Sequence, residues 1–373
     1  MTSGKRTKRR RRAQLATQEA EELVRRAEGE AFARRVLVPI APGDPRRHHY
    51  VPQFLLRRFA NDRNLIATIS VDNPSVPRIT SVGNTAAITD FYSTISDEVG
   101  ANVSVERLLA EVDGNASAVV DKLTSKAPLP LTGRERDALA MFLAFQKVRG
   151  PGYRRSFEAL ADWTVKAQLS MSENRAAQEG KLEEEYTRYD DVEFAEHQNE
   201  AVRSMLGVVD QLAESLRTRL ITIVRFGQPG VLLTDEPLVL YQRPGPQTGL
   251  MGVGVATADE IWLPLDRSTG LILHSDTGIG ERVLSFQGRP DVLREFNQTV
   301  VSCCFNEIYA HPDDVVAVDS LLLPERDRPL ITINGAVDWV RGRTDGINDA
   351  AKRRRPRRFD HQAKPLPNEP QVS

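Results

Sequence analysis

The chain has 373 residues, enough for two domains, or one large domain with a helical extension, and for a sizeable buried core. Its 50 Lys and Arg against 51 Asp and Glu give a formal net charge of −1, which excludes a uniformly acidic surface and a body coated in basic side chains. The balance conceals an asymmetry: residues 1–12 (MTSGKRTKRRRR) carry seven bases and no acid, 352–358 (KRRRPRR) carry six and no acid, and the remainder has 37 bases against 51 acids, a net of −14.

The only two cysteines, Cys303 and Cys304, are adjacent. A disulfide framework of the secreted kind is therefore not available, and a reducing cytoplasm is expected. No stretch approaches the roughly 18 consecutive apolar residues of a spanning helix. The segment after the basic start lacks the apolar run of a signal peptide, so a soluble, cytoplasmic protein without membrane contact is expected.

In chain order, 13–37 reads as a charged helix with a thin apolar stripe, and Pro39 to Pro45 (PIAPGDP) punctuates it. The runs LIATISV (65–71), RITSV (78–82) and ITDFYSTI (88–95) read as strands separated by DNPSVP and GNTA turns. Apolar spacing from Val105 to Leu123 predicts two helices or one kinked at Asp113-Gly114-Asn115. Thr132-Gly133-Arg134-Glu135 has the form of a capping box and predicts a helix to about Arg149. Pro151-Gly152 interrupts, and 153–175 and 191–218 are again helical.

Strand-like runs then return at ITIVRF (221–226), VLLTD (231–235), LVLY (238–241), EIWLPLD (260–266), GLILHS (270–275) and EIYAH (307–311), with a helix from Asp291 to about Cys304. Strands, a block of helices, then strands predict an α+β fold: an antiparallel or mixed sheet packed with long helices. The expected division is a basic arm and charged helix over 1–45, one α+β domain over 46–343, and a disordered basic tail over 344–373.

Three strings carry chemistry. In Arg46-Arg47-His48-His49-Tyr50-Val51-Pro52-Gln53-Phe54-Leu55-Leu56-Arg57-Arg58-Phe59, Pro52 marks a helix start, and the two histidines just upstream point apart on any regular structure. Gln53 and Arg57 share a helix face. Val231-Leu232-Leu233-Thr234-Asp235-Glu236-Pro237 ends a strand in a carboxylate, which suits either a general base or an Asp that bonds turn amides. Gln146 and Arg149 lie on one face at the end of an apolar helix, and Asn297 stands similarly in REFNQTVVSCCF. Phosphate loops, dinucleotide loops, nucleophile elbows, H-E-x-x-H and C-x-x-C are all missing, so standard ATP or NAD binding is not expected. A divalent metal is compatible with the His and Asp residues.

Together, His48 to Leu56 with Phe59, the Phe142–Arg149 stretch, Leu233-Thr234-Asp235-Glu236-Pro237, Trp262-Leu263-Pro264-Leu265 and the Asn297 helix resemble the bacterial domain-of-unknown-function family 4238 over roughly residues 46–320. In that family the third string more usually reads Thr/Ser-Asp-Asn-Pro, and Glu236 stands here in the Asn position. The resemblance implies the fold and convergence of these segments on one site, with no established activity. Two readings follow. One is a hydrolase-like site acting on a phosphodiester or nucleotide, with His48 or His49 as general base or metal ligand and Asp235 as the catalytic carboxylate. Gln53, Arg57, Gln146, Arg149, Thr234 and Asn297 would hold its substrate. The other is a non-enzymatic binding or regulatory module that contacts nucleic acid through residues 5–12 and 352–358.

Overall fold

The structure is a computed structural model and describes residues 46–96, 100–102, 104–126, 130–178, 198–243, 253–275 and 283–324. The charged helix expected at 13–37 and the basic tail lie outside these residues. The chain divides into two compact units, one holding Tyr92–Leu108 and the other holding Arg47–Phe91 and the residues from Leu109 onward. In the smaller unit, β5 (Thr94–Ser96) pairs antiparallel with β6 (Gly100–Asn102), with Ile95 opposite Ala101.

The larger unit carries two main sheets and a set of helices, an α+β fold as expected. Its first elements are β1 (Arg47–His49), the single turn α1 (Gln53–Leu56), β2 (Leu65–Ser70), β3 (Asn73–Ser81) and β4 (Ala87–Thr89). The segment expected as one strand over 88–95 is broken, because Asp90 turns the chain at φ 56°. The DNPSVP segment, read as a turn, lies mostly inside β3. That strand is at a sheet edge, so Pro74 and Pro77 remove no obligatory ladder donor there.

The helices are α2 (Ser104–Thr124), which begins in the smaller unit, α3 (Gly133–Val148), α4 (Pro151–Gln178) and α5 (Gln198–Arg217). Asp113-Gly114-Asn115 does not interrupt α2. The capping box is formed: the Thr132 hydroxyl accepts from Glu135 N at 3.3 Å, and Thr132 N donates to the Glu135 carboxylate at 2.6 Å. α3 packs along α5. On α5, Val202, Met205, Val209 and Leu216 recur at helical spacing on the buried side.

The remaining strands are β7 (Leu220–Phe226), β8 (Leu233–Thr234), β9 (Val239–Tyr241), β10 (Glu260–Asp266), β11 (Thr269–His274), β12 (Val283–Gly288) and β13 (Glu307–Ala310), with α6 (Pro290–Ser302) before the last. One sheet has the order β12-β7-β11-β10-β9 and the other β3-β2-β13-β8. Every pairing in both is antiparallel except β12 on β7. β12 is an element the sequence reading lacks: its alternation of apolar Leu284 and Phe286 with Ser285 and Gln287 is only four residues long, and all four are exposed. β10 tolerates Pro264 because β9 ends its pairing at Trp262 and a register shift follows Pro264.

α6 lies on one face of the five-stranded sheet. Phe296 stacks on Trp262 at 5.3 Å between ring centres, over Gly270, where a Cβ would come within 2.6 Å of the Phe296 ring. Ile69, Leu232, Val301, Cys304, Ile308, Ala310, Val318 and Leu321 form one apolar cluster between α6 and the four-stranded sheet. No helix among the described residues is long and apolar enough to cross a membrane.

Candidate functional site

The two histidines lie in β1, which pairs with β4, His48 opposite Ile88 and His49 opposite Ala87. Alternation in the strand sends them to opposite faces, so His48 is buried while His49 stays partly exposed. Pro52 is the N-cap of α1, and the helix converts after one turn into a 3₁₀ turn, Arg57–Phe59. That turn still brings the Gln53 amide 3.4 Å from His49 Nδ1 and lets Arg57 donate to Gln53 Oε1 at 2.6 Å. With Nδ1 accepting, the neutral His49 ring carries its proton on Nε2, which is buried without a hydrogen bond of ordinary geometry. Burial holds the His49 pKa below the usual imidazole value, the Val82 and Gly83 carbonyls oppose this, and the Arg47 and Arg149 charges reinforce it.

Gln146 and Arg149 sit directly behind this string. The Arg149 side chain is fully buried and donates from Nη1 to the Asp113 carboxylate at 2.9 and 3.2 Å and from Nε to Gln146 Oε1 at 3.0 Å. Its guanidinium also lies over the Phe142 ring. Gln146 in turn donates to the Tyr50 carbonyl at 3.1 Å, which ties the end of α3 to the chain after β1. From Tyr50 the chain of contacts continues through its hydroxyl to the Tyr309 hydroxyl at 3.0 Å, and Tyr309 donates to Glu307 at 3.0 Å. Burial pushes the Tyr309 phenol well above its ordinary pKa, so it stays a donor.

The Thr234-Asp235-Glu236-Pro237 string turns out of β8 into backbone. Asp235 is buried and accepts from the amides of Phe305, Asn306 and Glu307 at 2.7, 2.6 and 3.0 Å, and from the Cys304 thiol at 3.4 Å. It therefore fastens the turn between α6 and β13. Desolvation pushes its pKa up to about 6 against the pull of those three amides. Thr234 is buried, and its hydroxyl has no hydrogen-bond partner.

Glu236 reaches the first turn of α4 and accepts from Gly152 N at 2.8 Å. A Cβ on Gly150 or Gly152 would lie 2.3 or 2.6 Å from its Oε1, so glycine at both positions leaves room for the carboxylate. Burial raises the Glu236 pKa to about 7, with Lys147 opposing and Asp235 adding to the rise.

Asn297 is buried in α6 and bonds only backbone in this arrangement: Nδ2 donates to the Gly230 carbonyl at 2.8 Å, and Oδ1 accepts from Leu232 N at 3.0 Å. Gly230 has φ 138°, a conformation that suits glycine. The side chains named from the sequence thus gather in three places. His49, Gln53 and Arg57 form a surface run, Gln146 and Arg149 a buried knot behind it, and Asp235 and Asn297 bind the backbone around β8. Asp113 and Tyr309 complete the knot and were not singled out from the sequence. Asp113 had read as part of a helix break, and Tyr309 as one residue of an apolar strand. Among the described residues, no group of three or more His, Cys, Asp or Glu is placed to hold a metal ion.

No curated protein and no solved structure matches the chain. The family described as a protein of unknown function, DUF4238, matches residues 47–314, from β1 through the turn after β13, and the chain belongs to that family.

Proposed function

We propose that the chain is a binding module that contacts nucleic acid through its basic ends, residues 5–12 and 352–358, while the polar strings of its body organise the fold. The observation that carries this reading is how Arg149 is used. A phosphate-binding site in the body would need a guanidinium with free donors, and this one is directed inward at Asp113 and Gln146. The uncompensated positive charge lies instead in the two ends, outside a remainder of net −14. Lys and Arg runs of this kind neutralise phosphates with little sequence preference and a steep dependence on salt.

Binding of the full chain to duplex DNA and to RNA, measured across a salt series, tests it. Replacing the seven bases of 1–12 by Ser and Gln should reduce the log–log salt slope on duplex DNA by up to about 6, and replacing the six of 352–358 by up to about 5. Unchanged affinity and slope in both variants overturn the reading. The hydrolase-like reading draws on a different observation: Asp235 and Glu236 have pKa values raised to about 6 and 7, and such groups can donate or accept a proton near neutrality. Its test is cleavage of a phosphodiester or nucleotide lost on alanine substitution of His48, His49 and Asp235 in a protein that remains folded.

A further inference from the structure

A second set of polar side chains lies on the five-stranded sheet, apart from the His48–Arg57, Gln146–Arg149 and Thr234–Glu236 strings. On the face that carries α6, the register places Glu260 of β10 opposite His274 of β11, and Thr222 of β7 two residues along from the partner of His274. His274 Nε2 is 3.0 Å from the Thr222 hydroxyl, and its Nδ1 is 3.4 Å from Glu260 Oε1. Glu260 is held in turn by Trp262 Nε1 at 2.9 Å on one oxygen and by Arg243 at 3.1 Å on the other. This is the order hydroxyl, imidazole, carboxylate, with the carboxylate fixed by two further donors. A carboxylate fixed in this way beside Nδ1 is placed to orient the imidazole with its proton on Nδ1 and its lone pair toward the hydroxyl.

Access comes from the β12 side. Leu284 is paired in register with Thr222, and Phe286 with Val224, so both stand on the same face, and they are 42 % and 45 % exposed. The His274 side chain is 27 % exposed and that of Glu260 13 %, while Thr222 itself is 4 % exposed. Toward β10 the same face continues through Ile272 and Trp262, and Trp262 stacks on Tyr241 at 5.2 Å. A nucleophile recessed in an apolar sheet surface beside two exposed apolar side chains suits a substrate that brings an apolar group to a reactive carbonyl.

We infer that Thr222, His274 and Glu260 form an acyl-transfer site for esters of apolar acids, with Thr222 as nucleophile, His274 as general base and Glu260 as its orienting carboxylate. In the first step the Thr222 Oγ–carbon bond forms as its proton passes to His274 Nε2. The ester C–O bond then breaks, and the leaving oxygen takes that proton. Water repeats the sequence in reverse order to release the acid and restore the hydroxyl. The site is independent of the basic ends, so it goes beyond the nucleic-acid reading and neither stands nor falls with it.

Diisopropyl fluorophosphate tests the nucleophile directly on the full chain. Attack by Thr222 forms an O–P bond, breaks the P–F bond, releases fluoride and transfers the proton to His274. The expected result is one adduct per chain, located on Thr222 by tandem mass spectrometry. It should be absent in Thr222→Val, whose β-branched side chain suits the strand. It should be retained in Thr222→Ser and form about 100-fold more slowly in His274→Gln.

No adduct at Thr222, or an adduct that forms equally fast in His274→Gln, overturns the site. For the substrate class, Leu284→Glu should slow the acylation burst with p-nitrophenyl hexanoate about tenfold relative to p-nitrophenyl acetate, one to two apolar contacts' worth of discrimination. Equal effects on the two esters overturn the apolar assignment.

Discussion

The buried chain from Asp113 through Arg149, Gln146 and Tyr50 to Tyr309 and the row Thr222–His274–Glu260 on the five-stranded sheet are both built from polar side chains, yet they are held in opposite ways. In the first, the donors of Arg149 meet acceptors inside the protein and the guanidinium has no exposed surface. In the second, one side of the imidazole and the exposed residues of β12 still face outward. Polar residues that mark a family in sequence are therefore not automatically the ones with chemical capacity left over. Burying a guanidinium demands full satisfaction, and a side chain that is fully satisfied has nothing further to offer a ligand.

The largest test of this contrast is Arg149→Met. It leaves Asp113 partly buried opposite an uncharged side chain and should lower unfolding stability by about 3 kcal/mol in urea denaturation. At temperatures where the variant stays folded, labelling of Thr222 should be unchanged. Slower labelling at full occupancy of the native state would mean that the two regions are coupled.

A smaller effect is expected at Glu236. Because its folded pKa is raised from 4.5 to about 7, the native state binds the extra proton more tightly, so this group's contribution is greatest at low pH and is lost as pH rises from about 4.5 to 7. Glu236→Gln should remove about 1–3 kcal/mol of that decline, read as a flatter curve of stability against pH, since each pKa unit corresponds to about 1.4 kcal/mol. A curve of unchanged slope would show that Glu236 does not carry it. The smallest effect belongs to the surface run. Gln53→Ala breaks an exposed bond to Arg57 and should cost at most about 0.5 kcal/mol in thermal unfolding. A cost above 2 kcal/mol would place Gln53 with the buried knot.

Much of the fold is legible in the sequence where a period or a cap dictates it. The capping box at Thr132, the strands around 221–226, 260–266 and 270–275, and the one-turn reach from Gln53 to Arg57 all follow from local rules. What is not legible depends on distant partners. β12 shows only a four-residue alternation, Leu284-Ser285-Phe286-Gln287, and as an edge strand exposed on both faces it buries none of it. Asp235 shows only as an acid before a turn, and the amides it binds come from residues seventy positions later. His274 and Thr222 look like ordinary strand residues until the pairing of β7 with β11 sets them side by side.

That register also divides the row into a local part and a distant one. β10 and β11 are joined by a tight hairpin, with Asp266 opposite Thr269, so the carboxylate and the imidazole are brought together by a loop that costs little entropy to close. Thr222 comes from 52 positions before His274 in sequence and joins them only when β7 has paired with β11. Two of the three groups are thus a property of a local hairpin, and the third is a property of the finished sheet. Reactivity at Thr222 accordingly reads out the docking of β7, and with it the completion of the native fold.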